Sequence, residues 1–267
     1  MARPEHLPDF ESPPLDELVL GVQFSPLPGY SAVFAKDVWG LFRQQFPRVE
    51  EKPALDPVFE TFGGTSPPPG MQLRFGPPSS RTRLWFVSSD EDHLIQFQED
   101  RILLNWRKRN SKKFYPRFET ISKSYGEYLE SAENFFLRLF SQGLDINQAE
   151  ISYINIIPVE SYSQIGDWFD IGRFGEMNHE VFNLQFGEII LNQENKPYAR
   201  LICDLKSAIT IDGGSKVFNL TFTFRGKPVE NNIISAMNFL RDGRERIVHR
   251  FDQLTTEKAH LYWRKRK

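Results

Sequence analysis

The sequence predicts an α+β protein with a large, mostly antiparallel sheet. Alternating apolar and polar residues predict several strands, and two long stretches with helical spacing of apolar residues predict two long helices. The strand candidate 150–158 echoes an earlier stretch, 17–26, since both begin with Glu, contain one amide and end at Pro. We therefore predict two related halves, 1–148 and 149–267, each with the order strand, helix, strands, helix. They form two small domains or one fused domain, with the long helices on one face of the sheet.

The first half begins with a proline-rich arm, residues 1–14, which leads into a strand at 18–24. A helix is predicted after Ser31, which can act as its N-cap, and Pro47 ends it. Repeated proline and glycine make residues 48–80 irregular. A loop of this length is usually either functional or disordered.

A β-hairpin is the clearest local prediction. Residues 93–98 alternate apolar and polar side chains, a tight turn follows, and residues 101–107 return as the second strand. After it, a broad apolar stripe predicts a long helix over 119–142. Gly143 lies where a C-cap glycine is expected.

The second half repeats this order of elements. Its strand candidates are 151–157, 180–191, 198–211 and 216–224. A last long helix is predicted from residue 230 towards residue 254, and Gly243 weakens its middle because glycine is a poor helix former.

Composition limits the class of protein. A formal net charge of −2 over 267 residues gives no global field that would attract nucleic acid or an anionic membrane. The single cysteine, Cys203, excludes an intramolecular disulfide and a cysteine-rich zinc site, and its apolar neighbours predict a small core residue. Without an apolar signal core or a membrane span, we predict a cytoplasmic protein.

No group of residues predicts catalysis. The five histidines lack metal-ligand spacing, and the glycine pairs lack the lysine of a phosphate loop. Asp204 and Lys206 are similar to the end of a nuclease motif whose beginning is missing. We predict no catalytic residue, no metal and no cofactor, although the sequence leaves an enzymatic role open.

Polar residues on the hairpin strands give a first candidate site: Gln96, Gln98, Asn105 and Arg107. Alternating polar residues on a half-buried strand most often face water. Alternatively, these four side chains form a polar platform, on which the amides and the guanidinium bind a carboxylate or phosphate. Asn155 is predicted to be a buried amide that pairs with a neighbouring backbone.

A basic segment, 107–117, gives a second candidate site. Its candidate nucleic-acid contacts are Lys108, Arg109, Lys112, Lys113, Tyr115 and Arg117. The cations could attract phosphates while the aromatics stack on bases. A solvated turn between a strand and a helix explains the same pattern.

Three stretches together resemble a known family: 13–24, then 94–108 with 115–119, and 151–155. The family is a sporadically distributed bacterial and archaeal one of about this length, whose function is uncharacterised. Ile156 departs from it, since a basic residue often follows the third stretch. The resemblance implies no catalytic residues. The family's patchy distribution implies a role in mobile elements, toxin–antitoxin systems or defence.

We therefore predict a non-catalytic, cytoplasmic protein that binds another protein. Its contact elements are predicted to be the arm 1–14 and the loop 63–80, because extended proline-rich segments lose little entropy on docking. Deleting either is expected to abolish complex formation with little change in melting temperature. Two alternatives are a nucleic-acid-binding module that uses 107–117 and a small-molecule binder or enzyme on the polar sheet face.

Overall fold

The structure, a computed structural model, describes residues 4–63, 82–109, 114–210 and 213–267. Within these ranges the strands are β1 (Leu15–Phe24), β2 (Arg48–Pro53), β3 (Thr82–Val87), β4 (His93–Gln98), β5 (Arg101–Arg107), β6 (Ile146–Pro158), β7 (Asn183–Leu191), β8 (Pro197–Ile209) and β9 (Lys216–Gly226). The α-helices are α1 (Ala35–Phe42), α2 (Phe118–Phe140), α3 (Ile165–Trp168), α4 (Ile233–Leu254) and α5 (Glu257–Tyr262). Short 3-10 turns occur at Ala32–Phe34, Tyr162–Gln164 and Gly172–Glu176.

The described strands form one sheet of nine, in the order β2-β3-β4-β5-β1-β6-β9-β8-β7. Every neighbouring pair is antiparallel. The α+β class and the mostly antiparallel sheet are thus confirmed. In both predicted halves the first strand lies beside the last, since β1 pairs with β5 and β6 pairs with β9. The internal duplication and the boundary after residue 148, which falls inside β6, stay predictions.

Side chains of one face of the sheet form the core, because successive residues of a strand point to opposite sides. The register aligns a row of buried residues across seven strands: Phe86, Ile95, Leu104, Leu20, Ile151, Phe224 and Leu201. We call this side the apolar face. Phe136 of α2 stacks on Phe97 of β4 and contacts Phe24. On α4, Gly243 lies against Phe224.

The opposite side of the sheet carries a different row. Its members, also aligned by the register, are Glu50, Trp85, Gln96, Leu103, Gly21, Glu150, Arg225 and Arg200. We call this side the polar face. If one strand shifted its register by one residue, its polar-face side chain would point into the core. For Glu50, Glu150, Arg225 and Arg200 this would bury a charge among apolar residues, so the alternation fixes the pairing.

The predicted core residue Cys203 is confirmed. Its side chain is fully buried, and burial raises the pKa of the thiol to about 12. Since the thiolate is the reactive form of cysteine, this thiol is inert at neutral pH. The hydroxyl of Tyr125, equally buried, donates to the carbonyl oxygen of Ile102 at 2.7 Å, which ties α2 to β5.

Several boundaries differ from the sequence prediction. Residues 48–53, placed in the irregular segment, form β2, because they pair with β3. The helix α2 ends before Gly143: Ser141 is its C-cap, in the left-handed conformation at φ 55°. Its backbone N–H bonds the carbonyl oxygen of Leu137, which satisfies the helix end without a glycine. The helix α5 was not predicted.

The exposed N-terminal arm is a wrong prediction for its described residues. Leu7 is 1% exposed and Phe10 is 5% exposed. Phe10 forms a β-bridge with Lys265 and packs edge-on against Phe251 of α4, with 5.3 Å between ring centroids. Leu7 and Phe10 thus fasten the arm to the folded protein, and removing the arm is expected to lower the stability.

Candidate functional site

An extended segment that follows β2 crosses the polar face of the sheet. We call residues 54–62 the strap. Near its beginning, the amide side chain of Gln98 pairs with the backbone of Leu55: Leu55 N donates to Gln98 Oε1 at 2.8 Å, and Gln98 Nε2 donates to Leu55 O at 2.9 Å. Further along, Val58 N donates to Gln23 Oε1 at 3.2 Å. Buried glutamines thus bind the main chain of the strap as a sheet neighbour would.

Glu60 anchors the far end of the strap. Its carboxylate accepts from Arg200 Nε and from Arg225 Nε, both at 2.8 Å, and Arg225 also donates to Glu150 at 3.0 Å. The Glu60 side chain is 8% exposed. Arg200 Nη2 donates in addition to Thr61 O at 3.0 Å. The strap is held by charge at one end and by amide hydrogen bonds at the other.

Substituting Glu60→Gln is expected to lower the free energy of unfolding by about 2 kcal/mol, because removing one member of a buried ion cluster leaves the others uncompensated. The figure is smaller than for a fully buried pair, since the two arginines are 21% and 20% exposed. Urea denaturation measures the change. The matched control is Glu194→Gln in the exposed pair with Lys196, for which no measurable change is expected. Equal effects of the two variants would contradict a structural role for the strap.

The four predicted platform residues do not form one patch. Gln98 holds the strap, whereas Gln96 and Asn105 belong to a chain of hydrogen bonds. In it Arg83 Nη1 donates to Gln96 Oε1 at 2.5 Å, Gln96 Nε2 donates to Asn105 Oδ1 at 2.8 Å, and Asn105 Nδ2 donates to Glu17 Oε1 at 2.6 Å. Each is thereby fixed in one orientation.

All four platform residues are buried: Gln96, Gln98, Asn105 and Arg107 are 6%, 2%, 4% and 7% exposed. The interpretation that they face water is therefore wrong. The alternation correctly placed them on the side opposite the core, but there the strap covers Gln98, and Gln96 and Asn105 bond other side chains. Burial raises the pKa of Glu17, although the hydrogen bond from Asn105 and the positive charge of Arg107 both act to lower it. Whether the platform binds a ligand stays a prediction.

A cavity of about 290 Å³ lies between the strap and the strands. Leu55 and Val58 of the strap line it together with Gly21, Arg101 and Glu150. A Cβ atom on Gly21 would lie 3.2 Å from Leu103 Cγ, so glycine lets that leucine approach β1 closely. The volume is close to the lower limit of small-molecule sites, about 300 Å³.

The basic segment is divided by the structure. Lys108 and Arg109 are exposed, as a nucleic-acid contact requires. Arg117 instead points to the N-terminal arm, where its Nη1 donates to Asp9 Oδ1 at 3.0 Å. The two remaining predicted cations lie outside the described residues: Lys112 and Lys113. The described part of the segment presents two exposed cations rather than a basic surface with aromatics between them.

Tyr115 is also turned inward. Its ring packs against Trp106, and its hydroxyl lies 3.4 Å from the hydroxyl of Tyr153. Burial raises the pKa of both tyrosines above the ordinary value, so both hydroxyls stay protonated. Beside them Arg244 Nη2 donates to Glu119 Oε1 at 2.8 Å. The cavity that these groups line is about 60 Å³, enough for water but below the size of a metabolite site.

Asn155 has the structural role that the sequence predicted. The residue is 3% exposed, and its Nδ2 donates to the carbonyl oxygen of Leu220 at 3.1 Å. Within the described ranges no group of three or more His, Cys, Asp or Glu side chains is placed to hold a metal ion. No helix in this part of the chain combines the length and the apolarity needed to cross a membrane.

The two edges of the sheet differ in composition. The edge strand β2 reads RVEEKP: four of its six residues are charged, and proline ends it. Such residues protect an edge against pairing with another chain. The edge strand β7 reads NLQFGEIIL, is nine residues long and has a single charge, Glu188. Among the described strands none pairs with its outer side.

Apolar side chains of β7 reach the surface. Phe186 is 38% exposed, Ile189 is 45% exposed and Leu191 is 48% exposed. The segment leading into β7 adds exposed Met177 and Val181. Sequence analysis identified the strand but not its place at the edge. Its lack of lysine and proline was the available signal, yet a central strand has the same composition.

Comparison of the chain with protein-family models, with curated proteins and with solved structures finds no match. Any function must therefore be argued from the geometry of the described residues.

Proposed function

We propose that this protein is a non-catalytic binding protein, and that a partner protein adds an extended strand to the outer edge of β7. The supporting observation is the contrast between the two edges, one charged and ended by proline, the other long and apolar. An unprotected edge of this kind is a template for strand pairing. In strand addition, main-chain hydrogen bonds give affinity and the side chains between them give specificity.

The exposed side chains of β7 define the chemistry of the partner. Its segment is extended, with apolar residues that cover Phe186 on one side of the sheet and Ile189 on the other. The only charge on β7, Glu188, is paired with Arg250. The edge therefore favours an uncharged, apolar segment, and proline would be excluded from it since proline lacks the N–H that the ladder needs.

The cellular context of the proposal comes from the family resemblance. By this resemblance the partner belongs to the same mobile-element, toxin–antitoxin or defence-type system, whereas the cytoplasmic location is proposed from the lack of a signal core in the sequence. The predicted partner contacts of the arm are dropped, because Leu7 and Phe10 of the arm are buried. The other predicted contact element, the loop 63–80, lies outside the described residues except for residue 63.

The test begins with the partner that copurifies with the untagged protein from its own host. With that partner purified, the dissociation constant is measured by calorimetry for the wild type and for the double variant Ile189→Lys, Leu191→Lys. We expect binding at least about tenfold weaker in the variant, because lysine is a residue that natural edges use against pairing. Backbone amides of β7 should gain protection from hydrogen exchange in the complex.

The control is Val49→Lys on the opposite edge, where a valine is 39% exposed. It should leave the dissociation constant unchanged. Protection of β2 rather than β7, or equal loss of binding in the control, would overturn the proposal. Concentration-dependent dimerisation of the purified protein that Ile189→Lys abolishes would instead assign the edge to a second copy of the chain.

A further inference from the structure

Three cations surround one indole on the polar face of the sheet. Lys52 Nζ lies 4.7 Å from the centroid of the Trp85 ring, and the guanidinium carbons of Arg83 and Arg107 lie 5.6 Å and 5.7 Å from it. We call these four residues the Trp85 cluster. They come from three strands, β2, β3 and β5, so the sheet itself holds the groups together.

The cluster contains three buried hydrogen-bond donors without acceptors: Arg83 Nε, Trp85 Nε1 and Arg107 Nε. Buried polar atoms in folded proteins are nearly always hydrogen-bonded, so three in one cluster need an explanation. All three are donors, and an indole or a guanidinium has no acceptor to offer the others. The missing group is therefore an acceptor.

The charge of the cluster is only partly compensated: Lys52 Nζ pairs with Glu50 at 2.9 Å, and the carboxylates of Glu17, Glu91 and Glu50 act on Arg107 without a direct ion pair. In the described part of the chain, neither Arg83 nor Arg107 forms an ion pair, although Arg200 and Arg225 on the same face share Glu60. Burial lowers the pKa of both Arg83 and Arg107, because a buried charge loses its hydration.

The two arginines are nevertheless fixed in position by neutral acceptors. Arg83 Nη1 donates to the side-chain oxygen of Gln96, and Arg107 Nη2 donates to the carbonyl oxygen of Glu91 at 3.0 Å. Neutral acceptors orient a guanidinium without neutralising it. Both groups keep a full positive charge and an unused Nε–H.

We propose that the Trp85 cluster is a binding site for an oxyanion group, a phosphate or a carboxylate, of a ligand. The group accepts hydrogen bonds from the unpaired donors of Arg83, Trp85 and Arg107, beside Lys52, whose ammonium also pairs with Glu50. Hydrogen bonds from guanidinium groups to carboxylate or phosphate are short and strong because both partners are charged. Of the predicted platform residues, Arg107 binds the oxyanion directly. Gln96 does not touch the ligand but holds Arg83 in position.

The test uses the full chain, labelled with nitrogen-15, and observes the indole N–H signals by NMR. Inorganic phosphate and acetate are titrated separately at constant ionic strength, with chloride as the balancing ion. The Trp85 signal, assigned with Trp85→Phe, should move downfield and saturate, because a charged acceptor deshields the proton that it binds. The other four tryptophans are expected to stay unchanged: Trp39, Trp106, Trp168 and Trp263.

Saturation by phosphate at lower concentration assigns the site to a phosphate group, and the reverse order assigns it to a carboxylate. The double variant Arg83→Gln, Arg107→Gln should weaken this binding at least about tenfold, as expected when charged donors are lost. The matched control is Arg138→Gln on α2, an arginine that also lies over an aromatic ring, with its guanidinium carbon 5.8 Å from the Phe135 centroid. It should bind the anion as the wild type does.

No saturable shift of the Trp85 signal with either anion would overturn the proposal. So would equal shifts of all five indole signals, which indicate non-specific screening, or equal weakening in the control. If the double variant does not fold, anion binding is measured instead with Lys52→Gln at the sheet edge, which is expected to weaken it. A dissociation constant unchanged from the wild type in that variant would also contradict the proposed site.

Discussion

Replacing Gly243 by alanine is expected to lower the free energy of unfolding by about 3 kcal/mol, at the upper end of the usual cost of overpacking a core. A Cβ atom at this position would lie 2.5 Å from Phe224 Cδ1 and 2.6 Å from Ile151 Cγ2. Both side chains are fully buried, so neither can move aside without disturbing its neighbours. The helix α4 would have to rise from the sheet. Thermal and urea denaturation measure the loss.

The matched control is the same substitution in the other long helix. At Gly126 of α2, the nearest atom to an added Cβ would be Met237 Cε at 3.8 Å, an ordinary contact. Gly126→Ala is therefore expected to stabilise the protein by about 0.5–1 kcal/mol, the difference in helix propensity between the two residues. If Gly243→Ala were also stabilising, α4 would not contact the sheet as closely as described.

Truncating Phe10 to alanine is expected to cost about 3 kcal/mol, as for other large aromatic side chains removed from a core. The ring lies within 5.5 Å of the His260 ring and within 6.3 Å of the Trp263 ring, measured between centroids. Its loss leaves a cavity between the arm and the C-terminal helices. The change is measured by urea denaturation at equilibrium.

Phe114→Ala is the control for this substitution, since the Phe114 side chain is 85% exposed. Its stability should stay within about 0.5 kcal/mol of the wild type, as for most surface substitutions. An unchanged melting temperature in Phe10→Ala would restore the interpretation of the arm as a separate contact element.

Local pattern was enough to predict the central hairpin. The bounds expected for its strands, 93–98 and 101–107, are those of β4 and β5. Here the signal is contained in fifteen consecutive residues, because alternation and a two-residue turn fix both strands and their register together. Cys203 and Asn155 were predicted correctly for a similar reason, since an apolar strand leaves few roles for a thiol or an amide.

The candidate site depends on contacts that no local pattern contains. Glu60 meets its two arginines 140 and 165 positions further along the chain. The alternation of β4 and β5 correctly separated the two faces of the sheet. It could not show that the strap crosses the polar face, so the platform residues were expected in water. Likewise, the composition of β7 does not distinguish an edge strand from a central one.

The central position of β1 has a consequence for the rate at which the protein folds. Its two neighbouring strands lie at different distances along the chain. Gln23 of β1 lies opposite Arg101 of β5, whereas its side chain donates to Asn147 of β6, 124 residues later. Loop-closure entropy makes such distant pairing slow, and sheets dominated by it fold over milliseconds to seconds. During synthesis, β1 can pair with β5 well before β6 has emerged from the ribosome. Until then the other edge of β1 presents unpaired backbone N–H and C=O groups, and we expect the chain to be prone to aggregate at this stage.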